Sequence, residues 1–514
     1  VVGNKAGVFI LTQTRSEVSN HKSQIINHKL YGPALKPQSE YAKGLSPQKA
    51  VESMQLPGGF KAELIAAEPD LVQPMAFTFD ERGRIWVVEG NSYPQPREVG
   101  KGQDRIKILE DSDGDGTFET KKIFCEGLNL VSGIELGFGG VWVGAAPYLM
   151  FIPRDGDKPL PLGSNRAIPG PSETQGAIPG PSGSEGAKNG PVTQVPGLYF
   201  TAYALLDGWG TQDTHETLNS FIWGPDGWLY GCHGVFTHSR VGKPGTPDDQ
   251  REPINAGVWR YHPVRHEFEV FAHGTSNPWG LDYDQHGEWF VTACVIPHLY
   301  HIVPGGRYQR QAGQHFNAHT YEDIKTIADH AHYAGNPRPD VSFDKTTGAG
   351  VMKNDTNALG GGHAPCGLAI YQSSLFPPTY RNQLLFGNLH GHRLVANYTD
   401  PHASTYIGKH AADFLRANDM HFIPVTQKVG PDGALYVSDW SDQQICHRGS
   451  GAVEHWDRSN GRIYRVTYGS EAGTPARYDF AGKSARITAP FDLAKESDET
   501  LAKLAVQTEN DWFS

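Results

Sequence analysis

Short apolar runs that alternate with polar residues and break at glycine-containing turns recur along the chain at long intervals. The clearest is Leu218-Asn-Ser-Phe-Ile-Trp-Gly-Pro-Asp-Gly-Trp-Leu-Tyr-Gly-Cys-His-Gly234. An apolar stretch leads into a Gly-Pro-Asp-Gly reversal and returns as an aromatic–aliphatic pair followed by small and polar residues. Two strands joined by a tight turn satisfy that order. The same order appears at Met75 to Glu89, Gly133 to Gly144, Trp279 to Ala293 and Val425 to Ser438. A longer reversal, Gln372 to Asn382, separates Gly367-Leu-Ala-Ile-Tyr371 from Gln383-Leu-Leu-Phe-Gly387. Six such hairpins predict an all-β fold, a six-bladed β-propeller whose blades are each completed by two less regular outer strands.

The flanks read differently. Residues 1–44 are polar without a sustained period and predict an extended arm. Ser46-Pro-Gln-Lys-Ala-Val-Glu-Ser-Met-Gln55 has a Ser cap and Pro at the first helical position, so a short helix is expected, ended by Leu56-Pro-Gly-Gly. Phe60 to Ala67 alternates and predicts a strand that closes the ring against the last blade. Residues 163–197 are low-complexity, with Ala167-Ile-Pro-Gly-Pro-Ser nearly repeated at Ala177, and predict an expanded surface loop. Beyond Gly461-Arg-Ile-Tyr-Arg-Val-Thr467, a Ser-capped amphipathic helix starts near Ser497. The expected organisation is an arm and helix at 1–55, the propeller at 56–470 with the 163–197 insertion, and a linker with the start of a helical region at 471–514.

Composition narrows the function. A net charge of −11 with no clustered basic run excludes a nucleic-acid partner. Five scattered cysteines leave at least one unpaired and form no disulfide framework. No Cys-x-x-Cys-His occurs, so no covalent haem is encoded in this chain, and no apolar run is long enough to span a bilayer. The opening Val1-Val-Gly lacks an initiator Met and a signal peptide, and reads as a processed or truncated start. No Gly-x-Ser-x-Gly elbow or βαβ dinucleotide pattern is present.

A hairpin starts and finishes at one end of its blade, so the residues flanking it crowd one face. Histidines, carboxylates and amides gather there. His215, in Asp213-Thr-His-Glu216, can abstract a proton from a substrate hydroxyl if Asp213 or Glu216 holds it. Asn277, His233, His390, His392, Arg393 and Asp439 are candidates to hold a cofactor or substrate on the same face. Each has a plainer reading: a loop histidine bonding a carbonyl, an Asn-Pro turn, an arginine in a structural ion pair.

Asp111-Ser-Asp-Gly-Asp-Gly-Thr-Phe-Glu119 spaces Asp111, Asp113, Asp115 and Glu119 as oxygen ligands for calcium, although Lys122 stands where an EF-hand has its bidentate acid. A solvated Asp-Gly turn accounts for the same residues. The pairs His298/His301, His315/His319 and His330/His332, with His363 and His447, leave a transition-metal site open as a lesser reading.

Several blocks together resemble a family: Leu56-Pro-Gly-Gly-Phe-Lys-Ala-Glu-Leu-Ile-Ala-Ala-Glu-Pro69, Asp213 through Cys232, His273-Gly-Thr-Ser-Asn-Pro-Trp-Gly280, Gln309 to Asn317 and Tyr321 to His330. They look like the membrane-bound dehydrogenase propellers of planctomycete-type bacteria, the N-terminal domain of haem-binding proteins. That resemblance implies HEAT-like repeats and a cytochrome c module beyond the propeller. It also implies a distant similarity to quinoprotein glucose and sorbosone dehydrogenases, which bind pyrroloquinoline quinone (PQQ) and calcium. His215 takes the place of their catalytic histidine, and Ser276-Asn277-Pro278 matches their Arg-Asn-Pro motif. Ser276 departs from the cofactor-holding arginine, and His215-Glu216 departs from a frequent His-His pair, which makes Glu216 a second candidate base.

The resulting expectation is a periplasmic or extracellular quinone-dependent oxidoreductase of a sugar or alcohol, served by a cytochrome c acceptor. The alternative is a non-catalytic propeller that binds a ligand or protein within a haem-containing assembly.

Overall fold

Aspartate and glycine set the turns of four of the inner hairpins. In these the amide of Gly83, Gly227, Gly287 or Gly433 closes on the carbonyl three residues earlier, each at 2.9 Å. The glycines have φ of +74° or +78°, a region open to Gly at little cost. Asp80, Asp226, Asp284 and Asp432 turn their carboxylates onto amides of the same loops. The computed structural model describes residues 44–164, 168, 193–294, 298–310, 315–316, 322–330, 341–343, 350–352, 364–442, 445, 457–469, 477–478, 485–486 and 492–507.

All six expected hairpins form. Their inner and second strands are Pro74–Phe79 with Ile85–Glu89, Val131–Gly137 with Gly140–Ala145, and Asn219–Trp223 with Leu229–His233. Then follow Asn277–Tyr283 with Trp289–Cys294, Pro365–Tyr371 with Gln383–Asn388, and Pro424–Val429 with Leu435–Asp439. Each heads a separate sheet, antiparallel except for one parallel edge pairing in the third, and these are called blades 1 to 6. Phe60–Ala66 pairs antiparallel with Arg462–Tyr468 as the outermost strand of blade 6, which closes the ring.

Every inner strand carries a register shift near its start, between Pro74/Ala76, Val131/Gly133, Asn219/Ile222, Pro278/Leu281, Cys366/Ala369 and Pro424/Thr426. A bulge re-aims the side chains that follow it. Polar groups then join each blade to the next around the axis. Thr78 donates to Glu135 at 2.6 Å, Ser132 to the Leu218 carbonyl at 2.7 Å and the Gly280 amide to Ser220 at 2.8 Å. The Ile370 amide donates to Asp282 at 2.8 Å, the Cys366 thiol to the Val425 carbonyl at 3.4 Å and Thr426 to the Met75 carbonyl at 3.0 Å.

The N-terminal helix spans Pro47–Ser53; Ser46 stands at its cap position without a side-chain capping bond, and Pro47 begins it. The C-terminal helix, Asp498–Gln507, is capped by Ser497, which accepts the Thr500 amide. Cys125, Cys232, Cys294 and Cys366 are buried. Cys446 and most of the 163–197 insertion lie outside the described residues, as does the arm up to residue 43. Among the described residues no helix is long and apolar enough to cross a membrane.

Candidate functional site

Loops from blades 1, 3 and 6 meet over the end of the ring at which the inner strands begin. Thr214 donates to the Pro94 carbonyl at 2.6 Å, and the Tyr93 hydroxyl to the Ile445 carbonyl at 2.9 Å. The Tyr93 ring meets His215 edge-on at 6.1 Å and Trp440 at 5.6 Å. Tyr93 and Trp440 continue into an apolar cluster with Met75, Val131, Trp279, Cys366 and Val425. This end is therefore walled by aromatic rings, with polar groups seated among them.

The structure pairs two of the three candidate catalytic residues, His215 and Asp213. His215 Nδ1 bonds the Asp213 carboxylate, which also accepts the His215 amide at 3.1 Å. The imidazole side chain is 39% exposed. An imidazole held at Nδ1 by a carboxylate exchanges protons at Nε2, the arrangement of an oriented base. Glu216 turns inward instead. It is buried, its Oε2 has no hydrogen-bond partner, and burial reinforced by Asp213 raises its pKa well above the carboxylate range. Its surroundings therefore favour the protonated form.

The candidate holding residues divide. Asn277 sits on the same end, where its Oδ1 accepts the Val235 amide at 2.8 Å and pins the loop after the second strand of blade 3 to the start of blade 4. His233 is fully buried, with Nε2 at 2.9 Å from Ser239 Oγ and its ring edge-on to Trp209, and burial pushes it down to about 4. His392 bonds the Phe422 carbonyl at 3.0 Å and is likewise pushed by burial to about 4. Arg393 is 3% exposed and pairs with Asp413 at 2.7 Å. Asp439 accepts the Ile423 and Ser441 amides at 2.8 and 2.9 Å, and burial raises it to about 7. These four are built into the blade framework. The His390 side chain lies outside the described residues.

Sequence reasoning did not single out the arginines on this end, Arg97, Arg458 and Arg307, and weighed His315 only as a metal ligand. Arg458 donates to the Tyr93 carbonyl at 2.9 Å and sits near Arg97, whose buried Nε has no hydrogen-bond partner. Arg307 and His315 share Asp323, at 3.0 and 3.3 Å, and buried Arg307 Nη1 and His315 Nδ1 have no hydrogen-bond partner. Contacts lead from there to the dyad: Arg310 donates to the Asn255 carbonyl, Asn255 meets His238 at 3.4 Å, and the neighbouring Thr237 hydroxyl donates to the Asp213 carbonyl at 2.8 Å. The parallel pairing of Arg307–Arg310 with the end of Glu267–Thr275 places them, a long-range pairing that no local pattern announces.

The acidic loop lies at the other end of the ring, beside the hairpin turns. The carboxylates of Asp111, Asp113 and Asp115 lie within 4.8 Å of one another, and the Gly114 and Gly116 amides hold Asp111 at 2.8 Å. Glu119 folds back on the Ser112 amide at 2.9 Å, while Lys122 pairs with Glu110 and Asp157. Of the histidine pairs, His301 bonds Glu288 at 2.7 Å, whereas His298 lies beside His330, with ring centroids 5.0 Å apart, planes tilted by 59° and Asn397 Nδ2 near both rings. His319, His332, His363 and His447 lie outside the described residues.

A family model matches residues 46–159 and 202–470. The chain belongs to the family described as a domain of unknown function, DUF7133. No curated protein matches it. Solved structures similar to this DUF7133 chain include an oxidoreductase described as a glucose dehydrogenase from Thermus thermophilus, at 16% identity, TM-score 0.45, covering 79% of this chain and all of that one. The PQQ-bound aldose sugar dehydrogenase of Streptomyces coelicolor is 14% identical, with TM-score 0.43 and coverage of 80% and 99%. The holo pyranose dehydrogenase PQQ domain of Coprinopsis cinerea is 13% identical, with TM-score 0.40 and coverage of 80% and 97%.

Proposed function

We propose that this DUF7133 propeller is a periplasmic or extracellular oxidoreductase of a sugar or alcohol, dependent on PQQ and passing electrons to a cytochrome c partner. The observation that carries the reading is the half-exposed His215–Asp213 dyad among the aromatic rings of the loop-bearing end. His215 takes the proton of the substrate hydroxyl at Nε2, and Asp213 fixes the ring and stabilises the imidazolium. Burial disfavours a second negative charge at Glu216 beneath them. Polycarboxylate PQQ fits the buried cationic donors at this end, Arg307 Nη1 and Arg97 Nε, and when bound it supplies the hydride acceptor.

Reconstitution with PQQ and calcium tests the reading. Quinone absorbance that stays with the protein after gel filtration, and dye reduction with members of a sugar and alcohol panel, are the expected results. No retained quinone and no dye reduction would sink it.

A second reading, a non-catalytic binding propeller in a haem-containing assembly, is favoured by one observation: Arg393, His392, His233 and Asp439 are engaged in framework bonds. Capture of a cytochrome c-type partner that is lost on substitution of Arg97 and Arg307, with no turnover, supports it over the first.

A further inference from the structure

Beyond that reading, the channel along the ring axis carries a separate feature. The six inner strands enclose a cavity of about 700 Å³ that reaches the hairpin turns of blades 3 and 4. Lys428 crosses this lumen from blade 6, its Nζ at 2.9 Å from Glu135 on blade 2 and 3.4 Å from the Phe221 carbonyl on blade 3.

Of the polar groups around the axis, Gln427 stands apart. It is 2% exposed and lines the cavity, yet neither its Nε2 nor its Oε1 has a hydrogen-bond partner. Leaving both halves of a buried amide without partners is unfavourable. The backbone nevertheless makes room for it: a Cβ on Gly367, whose φ is +72°, would fall 2.0 Å from Gln427 Oε1. A glycine shaped around an unsatisfied amide points to a ligand that satisfies it.

The chemistry of that ligand follows from the walls. The lining acids Glu135, Asp282 and Asp284 outnumber Lys428, which is itself paired with Glu135, so an anion is disfavoured. A primary amide offers a donor and an acceptor on adjacent atoms, which match two neighbouring hydroxyls. Phe221, Trp223 and Leu281 supply apolar faces for C–H groups. The volume lies within the range of small-molecule sites.

We propose that the central channel binds a small neutral polyol, of monosaccharide or disaccharide size, through the Gln427 amide. This site lies within the channel between the inner strands, whereas His215 sits on the loop ahead of blade 3.

Calorimetric titration of the full chain with D-glucose, D-galactose, sucrose and cellobiose tests the proposal. At least one titrates with wild type, and Gln427→Met, which keeps the volume, weakens it by about tenfold, the effect of one buried hydrogen bond. Gln427→Glu, of the same shape but with its donor removed, weakens it likewise. Both variants are checked by thermal unfolding, and Gln427→Met melts no lower than wild type because it removes an unsatisfied group. His215→Asn titrates as wild type does, which separates this site from the proposed catalytic one: dye reduction fails in that variant while channel binding persists. The proposal is overturned if no sugar titrates, the channel then holding water only. It is equally overturned if the Gln427 variants titrate as wild type does, or if His215→Asn abolishes binding.

Discussion

His215 and His233 flank one hairpin, and their environments give them opposite chemistry. His233 is sealed against Trp209 and cannot be charged near neutral pH, while His215 keeps access to solvent and a carboxylate to orient it. Sequence alone brought both to the loop-bearing end, because strand direction is legible from a hairpin. Which imidazole faces outward depends on bulges and on packing from distant blades. Two outcomes follow for these side chains. Asp213→Asn leaves substrate binding intact and lowers kcat by roughly 10²- to 10⁴-fold, the range for a general base that loses its orientation, with KM held; steady-state dye reduction separates the two. An equal fall in both, or none, removes the dyad from the mechanism. Glu216→Gln, which mimics the protonated acid, changes unfolding free energy at neutral pH by less than about 1 kcal/mol, whereas Glu216→Ala leaves a cavity and costs about 2–3 kcal/mol by urea titration. Were Glu216 ionised in the folded protein, the glutamine variant would shift stability by more.

The hairpins were legible because four of them repeat a local rule: two short apolar runs joined by a turn with an aspartate and a left-handed glycine. The six bulges were not, since each is fixed by the approach of the next blade's inner strand. The closing strand was legible from its alternation, and its anchor is Phe60, which meets Phe376, Tyr380, Phe414 and Tyr468 with ring centroids between 4.8 and 5.1 Å. Phe60→Ala therefore frees both the strand and the ring closure, with an expected loss of about 3–5 kcal/mol in urea unfolding. A loss under about 1 kcal/mol means the ring holds without that strand. The acidic loop is the other element with a local signature. If it binds calcium, a hundredfold excess of the ion over its Kd stabilises the fold by about 2.7 kcal/mol, and Asp113→Asn removes the gain without disturbing the turn that Asp111 organises. Equal melting with calcium and with chelator leaves the residues as a turn only.

Over the whole molecule, two sets of buried groups oppose each other in pH. Burial pushes His233, His392 and His410 each down to about 4. Their folded values lie below the unfolded ones, so as pH falls the unfolded chain takes up those protons first and stability is lost on acidification. Burial raises Asp104 to about 6 and Asp439 to about 7, and holds Glu216 well above its usual range. Here the folded state keeps its protons longer, so stability is lost as pH rises through the folded values. Between about pH 4 and 6.5 the two sets largely cancel, and a shallow dependence follows although each group is strongly shifted. Asp439→Asn exposes the balance, because asparagine retains an oxygen for the Ile423 and Ser441 amides but cannot titrate. Its stability rises with pH across that window more steeply than wild type, by about 1.4 kcal/mol per pH unit, one proton's worth. Urea titrations near pH 4.5, 5.5 and 6.5 read the slope directly, and parallel curves for the two proteins would show that Asp439 is already ionised in the folded ring, offset by Arg462 rather than by a proton.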